Sequence, residues 1–229
     1  MVQPDKAGKG TRERLLEAAC RVFADKGYRA ATIAEICERA GANIAAVNYH
    51  FGDKASLYVE AWRHSFEASL RAHPPGGGAR ADDPPEERLR ARILALLRRI
   101  MSPGSPEFAI VRHEMGNPTG LLHEAMRKAI EPLRRGTFEV VRQLLGDHAD
   151  DHLVHLCMRS IISQCMHVMH RDWHRGHFGK GPVPPQPPAP PYREAPEKLA
   201  DHITRFSLAG LREVRRGMEE AAAREGDAP

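Results

Sequence analysis

A chain of 229 residues with 41% hydrophobic and only 6% aromatic content can bury a sizeable core, as one domain or two small ones. A formal charge of +4 and a pI near 9.0 permit an anionic partner, but there are none of the charge blocks of a nonspecific nucleic-acid tail. Four cysteines without a C-x-x-C pair argue against a disulfide framework. No apolar run approaches the roughly 20 residues that span a bilayer, and MVQPDKAGKG lacks a signal peptide's apolar core, so a cytoplasmic protein with reduced thiols and no membrane contact is expected.

Helical periodicity recurs along the chain, with no alternating strand segment and no internal repeat, and predicts an all-α fold. From Thr11 to about Asp25, Leu15, Ala19 and Phe23 form an inward stripe, and Gly27 ends the helix. In TIAEICERAG, Thr32 and Glu35 have the spacing of a reciprocal capping box, Ile33, Ile36 and Ala40 supply an inner face, and Gly41 stops the helix.

GANIAAVNYHF follows directly, with Asn43 as the expected N-cap. Ile44, Val47 and Phe51 fall at i, i+3 and i+7 and should anchor this short helix. Asn43, Ala45, Ala46, Asn48, Tyr49 and His50 then point elsewhere, with no Lys or Glu among them. Two short helices joined by a glycine-containing turn make a helix-turn-helix, and the outward residues suit a major groove. Amides can bond adenine edges, alanine methyls fit beside thymine methyls, and phenol or imidazole groups reach phosphates. Charge comes from outside the helix: Lys6, Lys9 and Arg12 form a basic arm, Lys54 opens the next helix, and the helix start at Thr32 offers amide donors to a phosphate.

The run from Arg12 through Leu57, with FADKGY, TIAEICERAG, NIAAVNYHFGDK and SLY, closely resembles the N-terminal domain of TetR-family transcriptional regulators. The resemblance implies DNA-facing roles for Thr32, Asn43, Ala46, Asn48, Tyr49, His50 and Lys54, and packing roles for Val47 and Phe51. It also implies that the remainder is a regulatory and dimerisation domain. We therefore place a helix-turn-helix DNA-binding domain at residues 1–71, and a helical effector-binding and dimerisation domain at 72–229. HPPGGGARADDPP, His73 to Pro85, opens the second as a boundary or long loop, and a proline-rich connector occupies 177–196.

Within that second part, Leu89, Ile93, Leu96, Leu97 and Ile100 mark one helix. Asn117-Pro118 reads as a cap and first-turn proline for another running to about Leu145, which Pro132 should kink or split. From about Asp150 to Arg171, Leu153, Cys157, Ile161 and Val168 mark one face and Val154, Met158, Ile162, Cys165 and Met169 another. A helix apolar on both sides is usually enclosed by its own core and by a second chain. The last helix, from Pro196 to about Ala223, carries Leu199, Ile203, Phe206, Gly210 and Val214. Helices 150–171 and 196–223 can thus pair in a four-helix homodimer interface.

RHEMGNPTGLLHEAM with the following IEPL is similar to the CecR-like branch of the family. That resemblance makes Arg112, Glu114 and Thr119 candidates for an effector cavity, with Phe108, Met115, His123 and Met158 as lining and an apolar or amphipathic small molecule as ligand. Ion pairing of Arg112 with Glu114, and methionine as core filler, are the plainer roles for those residues. Seven of the 13 histidines (His148, His152, His155, His167, His170, His174 and His177) crowd one segment. This leaves a metal-responsive alternative, or a redox one through Cys157 and Cys165, although no carboxylate or thiolate completes an obvious ligand set. No cofactor motif or hydrolase signature is present, and His113-Glu114 lacks the second histidine of a metalloprotease. The reading is a non-enzymatic, ligand-responsive regulator, a repressor rather than an activator, binding a double-stranded palindromic operator as a homodimer.

Overall fold

The computed structural model describes residues 10–177 and 195–226; for residues 170–177 and 225–226 only the helical backbone is described. Among the described residues there are nine α-helices and no strand. They form two compact units, Met1–Ala72 with Gly104–Ala129, and His73–Pro103 with Ile130–Pro229.

The first unit contains α1 (Thr11–Ala30), α2 (Ile33–Ala40), α3 (Ile44–Phe51), α4 (Lys54–Ala72) and α6 (Pro106–Gly116). Leu15, Ala19 and Phe23 are fully buried, as their spacing predicts, and the Phe23 ring meets Tyr58 of α4 edge-on at 4.9 Å. Full burial of such a side chain contributes on the order of 1.5–3 kcal/mol. Trp62 and Phe66 stack one turn further along α4 at 5.2 Å. Gly27 interrupts α1 with φ +72°, but one more helical turn follows to Ala30, closed by the Ala31 N–H on the Gly27 carbonyl. Only glycine fits there, since a Cβ would lie 3.0 Å from the His113 ring of α6 as well as straining the backbone.

Thr32 Oγ1 accepts from the Glu35 N–H at 3.2 Å and caps α2. The return half of the predicted capping box is missing, because Glu35 turns its carboxylate to Lys26 Nζ at 2.7 Å instead. Gly41 closes α2 in the left-handed conformation, and Asn43 Oδ1 caps α3 through the Ala46 N–H at 2.9 Å. α6 packs along α1 and α4.

The expected helix from Pro118 starts later, as α7 (His123–Leu145). Asn117 caps the end of α6 rather than the start of α7. The cause is Glu114, whose carboxylate takes the Thr119 N–H, the Thr119 hydroxyl and the Gly120 N–H within 3.0 Å and so holds 118–122 in a turn. Pro132 does not split α7, which runs unbroken through it. Residues 123–129 of this helix belong to the first unit and 130–145 to the second.

The second unit adds α5 (Pro85–Met101), α8 (Asp151–His177) and α9 (Pro196–Gly226), with α5 packed against both others. Leu89, Ile93, Leu97 and Ile100 are buried, whereas Leu96 is only half-buried. Val154, Met158, Ile161, Cys165 and Met169 make the buried stripe of α8, and Leu153, Cys157, Ile162 and Val168 flank it half-buried. On α9 the predicted stripe is shifted. Ala200, Ile203, Thr204, Ser207 and Leu211 face inward, while Phe206 is 65% exposed and Gly210 opens on empty space. Arg90–Asp201 at 2.7 Å and Arg98–Glu197 at 2.8 Å tie α5 to α9. In the loop before α5, Gly77 has φ +59° and lies so close to the Ala91 carbonyl that a Cβ would approach it to 2.4 Å.

Candidate nucleic-acid interface

Helix α3 is fixed from one side only. Val47 and Phe51, one turn apart, are 1% and 8% exposed and seat it on the bundle. Ile44, expected as a third anchor, is instead 55% exposed. It shares their face, but it occupies the first turn of an eight-residue helix, and helical side chains lean toward the N-terminus, which carries it past the packed region.

The outer surface carries Asn43, Ile44, Ala45, Asn48 and Tyr49, all exposed, with Ala46 and His50 half-buried at its margin. Tyr49 is 85% exposed and touches His50 edge-on at 4.9 Å. An open depression of about 710 Å³ runs along this side, lined among others by Thr11, Arg14, Asn43, Ala46, Tyr49 and His50. Neutral donors and acceptors therefore stand beside apolar groups, on a helix capped by Asn43 at its start and by the Gly52 N–H at its end. Such a surface can read base edges by hydrogen bond and methyl contact.

The flanking cations are less free than the sequence suggests. Arg12 pairs with Glu60 at 3.2 Å and lies over the Phe51 ring at 5.1 Å. Lys54 sits half-buried with Nζ 4.6 Å above the Tyr28 ring, and burial holds its ammonium below the usual lysine pKa. Thr32 is exposed at the start of α2. Lys9 lies outside the described residues.

The family models then decide the class. One described as bacterial regulatory proteins, tetR family, matches residues 15–61, and one described as HTH-type transcriptional dual regulator CecR, C-terminal domain, matches residues 85–211, over half the chain. The chain belongs to the TetR family. It is a DNA-binding transcriptional regulator of that family with a CecR-type C-terminal part. It is 26% identical over 169 residues to the HTH-type transcriptional dual regulator CecR of Shigella flexneri, covering 69% of this chain and 75% of that one. It is 29% identical over 133 residues to the HTH-type transcriptional regulator SrpR of Pseudomonas putida, where the match spans 58% of this chain and only 60% of the relative's length. The crystal structure of a TetR-like transcriptional regulator from Rhodococcus sp. RHA1 shares the fold, with a TM-score of 0.62 at 15% identity over 92% of this chain and 98% of that one. Among the described residues of this TetR-family chain, no helix is long and apolar enough to cross a membrane.

The residues singled out for an effector are divided between the two units. Phe108, Arg112, Glu114, Met115, Thr119 and His123 belong to the first unit and Met158 to the second. Glu114 and Thr119 are in contact, and Glu114 also accepts from the Tyr58 hydroxyl at 3.2 Å, so its partners are a turn and a phenol rather than Arg112. Burial first, then the adjoining Glu114 carboxylate, push the Tyr58 phenol up. Phe108 and Met158 are buried, Arg112 and Thr119 half-buried, and Met115 and His123 exposed.

His148, His152, His155 and His167 are exposed, and the side chains of His170, His174 and His177 lie outside the described residues. Among the described residues no group of three or more His, Cys, Asp or Glu side chains is arranged to hold a metal ion. Burial pushes the Cys157 thiol up and the Cys165 thiol up to about 12, which leaves both without appreciable thiolate.

Proposed function

We propose that this TetR-family chain is a ligand-responsive repressor that binds a palindromic operator as a homodimer and is released by a small apolar or amphipathic effector. The observation that carries this reading is the outer face of α3. A phenol 85% exposed beside amides, an isoleucine and alanines has no structural task on a helix already seated by Val47 and Phe51. Lys9, Arg12, Thr32, Asn43, Ala46, Asn48, Tyr49, His50 and Lys54 are the proposed DNA contacts, and Ile44 joins them because of its exposure. Phosphate contacts by the cations set register, and the neutral groups of α3 discriminate bases.

The dimer forms through helices 150–171 and 196–223. Phe206 at 65% exposure, the open approach over Gly210 and Leu156 at 44% exposure support that choice. Two-fold symmetry then sets two copies of α3 about one DNA turn apart. An effector frees the operator by preferring the head spacing that does not fit it, a coupling of about 1–3 kcal/mol. Phe108, Arg112, Glu114, Met115, Thr119, His123 and Met158 are the proposed effector contacts, and α4 with the segment Pro118–Pro132 the proposed route of transmission.

Selection of duplexes from a random pool by the purified protein, at one stated salt concentration and with Tyr49→Ala as control, tests the reading. A palindrome recovered by the native chain alone is expected. A folded dimer that enriches no sequence would sink it.

A further inference from the structure

Helix α5 carries its arginines on two sides that differ in what they meet. Toward α9, Arg90 and Arg98 are paired with Asp201 and Glu197. Toward α7, Arg88 and Arg92 sit one turn apart and meet no carboxylate. Arg88 Nη1 donates to Gln143 Oε1 at 2.8 Å, and Arg92 lies against Gly136. Like charges at this spacing repel.

Gly136 is the second part of the observation. It stands in the middle of α7 with ordinary helical geometry, where alanine would make the better helix. A Cβ there would lie 2.7–2.8 Å from the two terminal nitrogens of Arg92, so the missing side chain makes room for the guanidinium. Arg92 is half-buried and forms no hydrogen bond or ion pair among the described residues. Glu139, on the stretch of α7 between Gly136 and Gln143, is exposed and unpaired among those residues. Desolvation first, and then the charge of Arg88, hold Arg92 below its ordinary pKa. A half-buried cation with its planar fork of donors unused and a second cation beside it is an arrangement that an anion would complete.

We propose that Arg92 and Arg88, set between α5 and α7 over Gly136, form a binding site for an anionic group, a carboxylate or a phosphate. The site deepens the ligand-responsive reading, on which it rests, by giving the amphipathic effector a negatively charged end. Arg92 engages it through paired N–H donors, and Arg88 turns from Gln143 or shares it.

The test is melting of the full-length chain titrated with inorganic phosphate, and separately with acetate, at ionic strength held constant with chloride. The native chain is expected to show a saturable rise in Tm with at least one of the two anions. Arg92→Met should shift the midpoint at least about tenfold, the loss of one charge-assisted contact. Gly136→Ala, which keeps the charge but crowds the guanidinium, should also weaken binding while melting higher than the native chain without anion. Equal or unsaturable responses in all three chains would overturn the site. So would a lower melting point for Arg92→Met in the absence of anion, since that would mean Arg92 already has a structural partner. Affinity for the selected duplex is read alongside. Saturable binding that leaves it unchanged supports the site and counts against ligand release through it, whereas release by another ligand with no anion binding overturns the site and leaves that reading standing.

Discussion

Tyr49 and Val47, two residues apart on one short helix, are related in opposite ways to the rest of the molecule. Val47 is 1% exposed and Tyr49 85% exposed, so truncating each separates folding from recognition. Tyr49→Ala should leave the denaturation midpoint within about 0.5 kcal/mol of native, because surface changes of this kind rarely exceed that. It should weaken binding of a selected duplex by about 1–3 kcal/mol, roughly fivefold to 150-fold. Equal affinity of the two proteins in a titration at fixed salt would remove Tyr49 from the interface. At Glu114 the expectation is reversed. Its carboxylate satisfies two backbone N–H groups and two hydroxyls, one on the fully buried Tyr58. Glu114→Ala should therefore cost about 1–3 kcal/mol for each donor left without water or partner, measurable by urea unfolding. A wild-type midpoint would mean that solvent reaches the turn. The buried thiols give a third check. With Cys165 pushed up to about 12 by burial, its alkylation in the native chain should stay slow from neutral pH up to about pH 9, where an ordinary cysteine with pKa about 8.5 is already mostly thiolate.

Among the helices, the parts legible from sequence are those fixed by local chemistry. Thr32 and Asn43 cap α2 and α3 because a short polar side chain reaches an amide three residues on, which needs nothing from the tertiary structure. The Leu15, Ala19 and Phe23 stripe is equally plain, since three apolar residues four apart have one sensible place to go. What could not be read were outcomes of competition. Glu35 had two possible partners and chose Lys26, and Asn117-Pro118 reads as a helix start until Glu114 captures the amides that follow. Phe206 and Ile44 fit the periodicity of the inner face and still lie outside, because periodicity names a direction around the helix and not how far the partner surface extends. Of the proposed interface, the uncharged, outward composition of α3 is legible in the sequence, whereas the occupation of Arg12 by Glu60 and of Lys54 by the Tyr28 ring depends on residues remote in sequence. Pro132 supplies an element-scale prediction. It stands inside α7, exposed, where it removes one backbone hydrogen bond. Pro132→Ala should raise the melting temperature, and if the segment transmits the effector signal it should also change the concentration needed for operator release. An unchanged release curve in a more stable protein would rule the segment out.

For the whole molecule, the exposed surface of α9 carries the testable consequence of the proposed homodimer. Phe206→Glu places a charge at the centre of the proposed interface, where the native phenylalanine has 65% of its surface available. A monomer in sedimentation, with unchanged helicity and much weakened binding to a palindromic duplex, is the expected result. A dimer that persists would move the interface elsewhere on the second unit.

The grouping of residues 104–129 with the first unit bears on how such proteins can be cut and rejoined. A fragment ending at Ala72 would lose the helix that brings Phe108, Ile110 and Val111, all at least nine-tenths buried, and would leave Gly27 facing a gap where the His113 ring had been. Exchanging the first 72 residues of this chain by one splice would set its α6 against an α1 and α4 from another parent. A folded hybrid should instead need two crossovers, with residues 104–129 travelling alongside the first-unit helices they pack against.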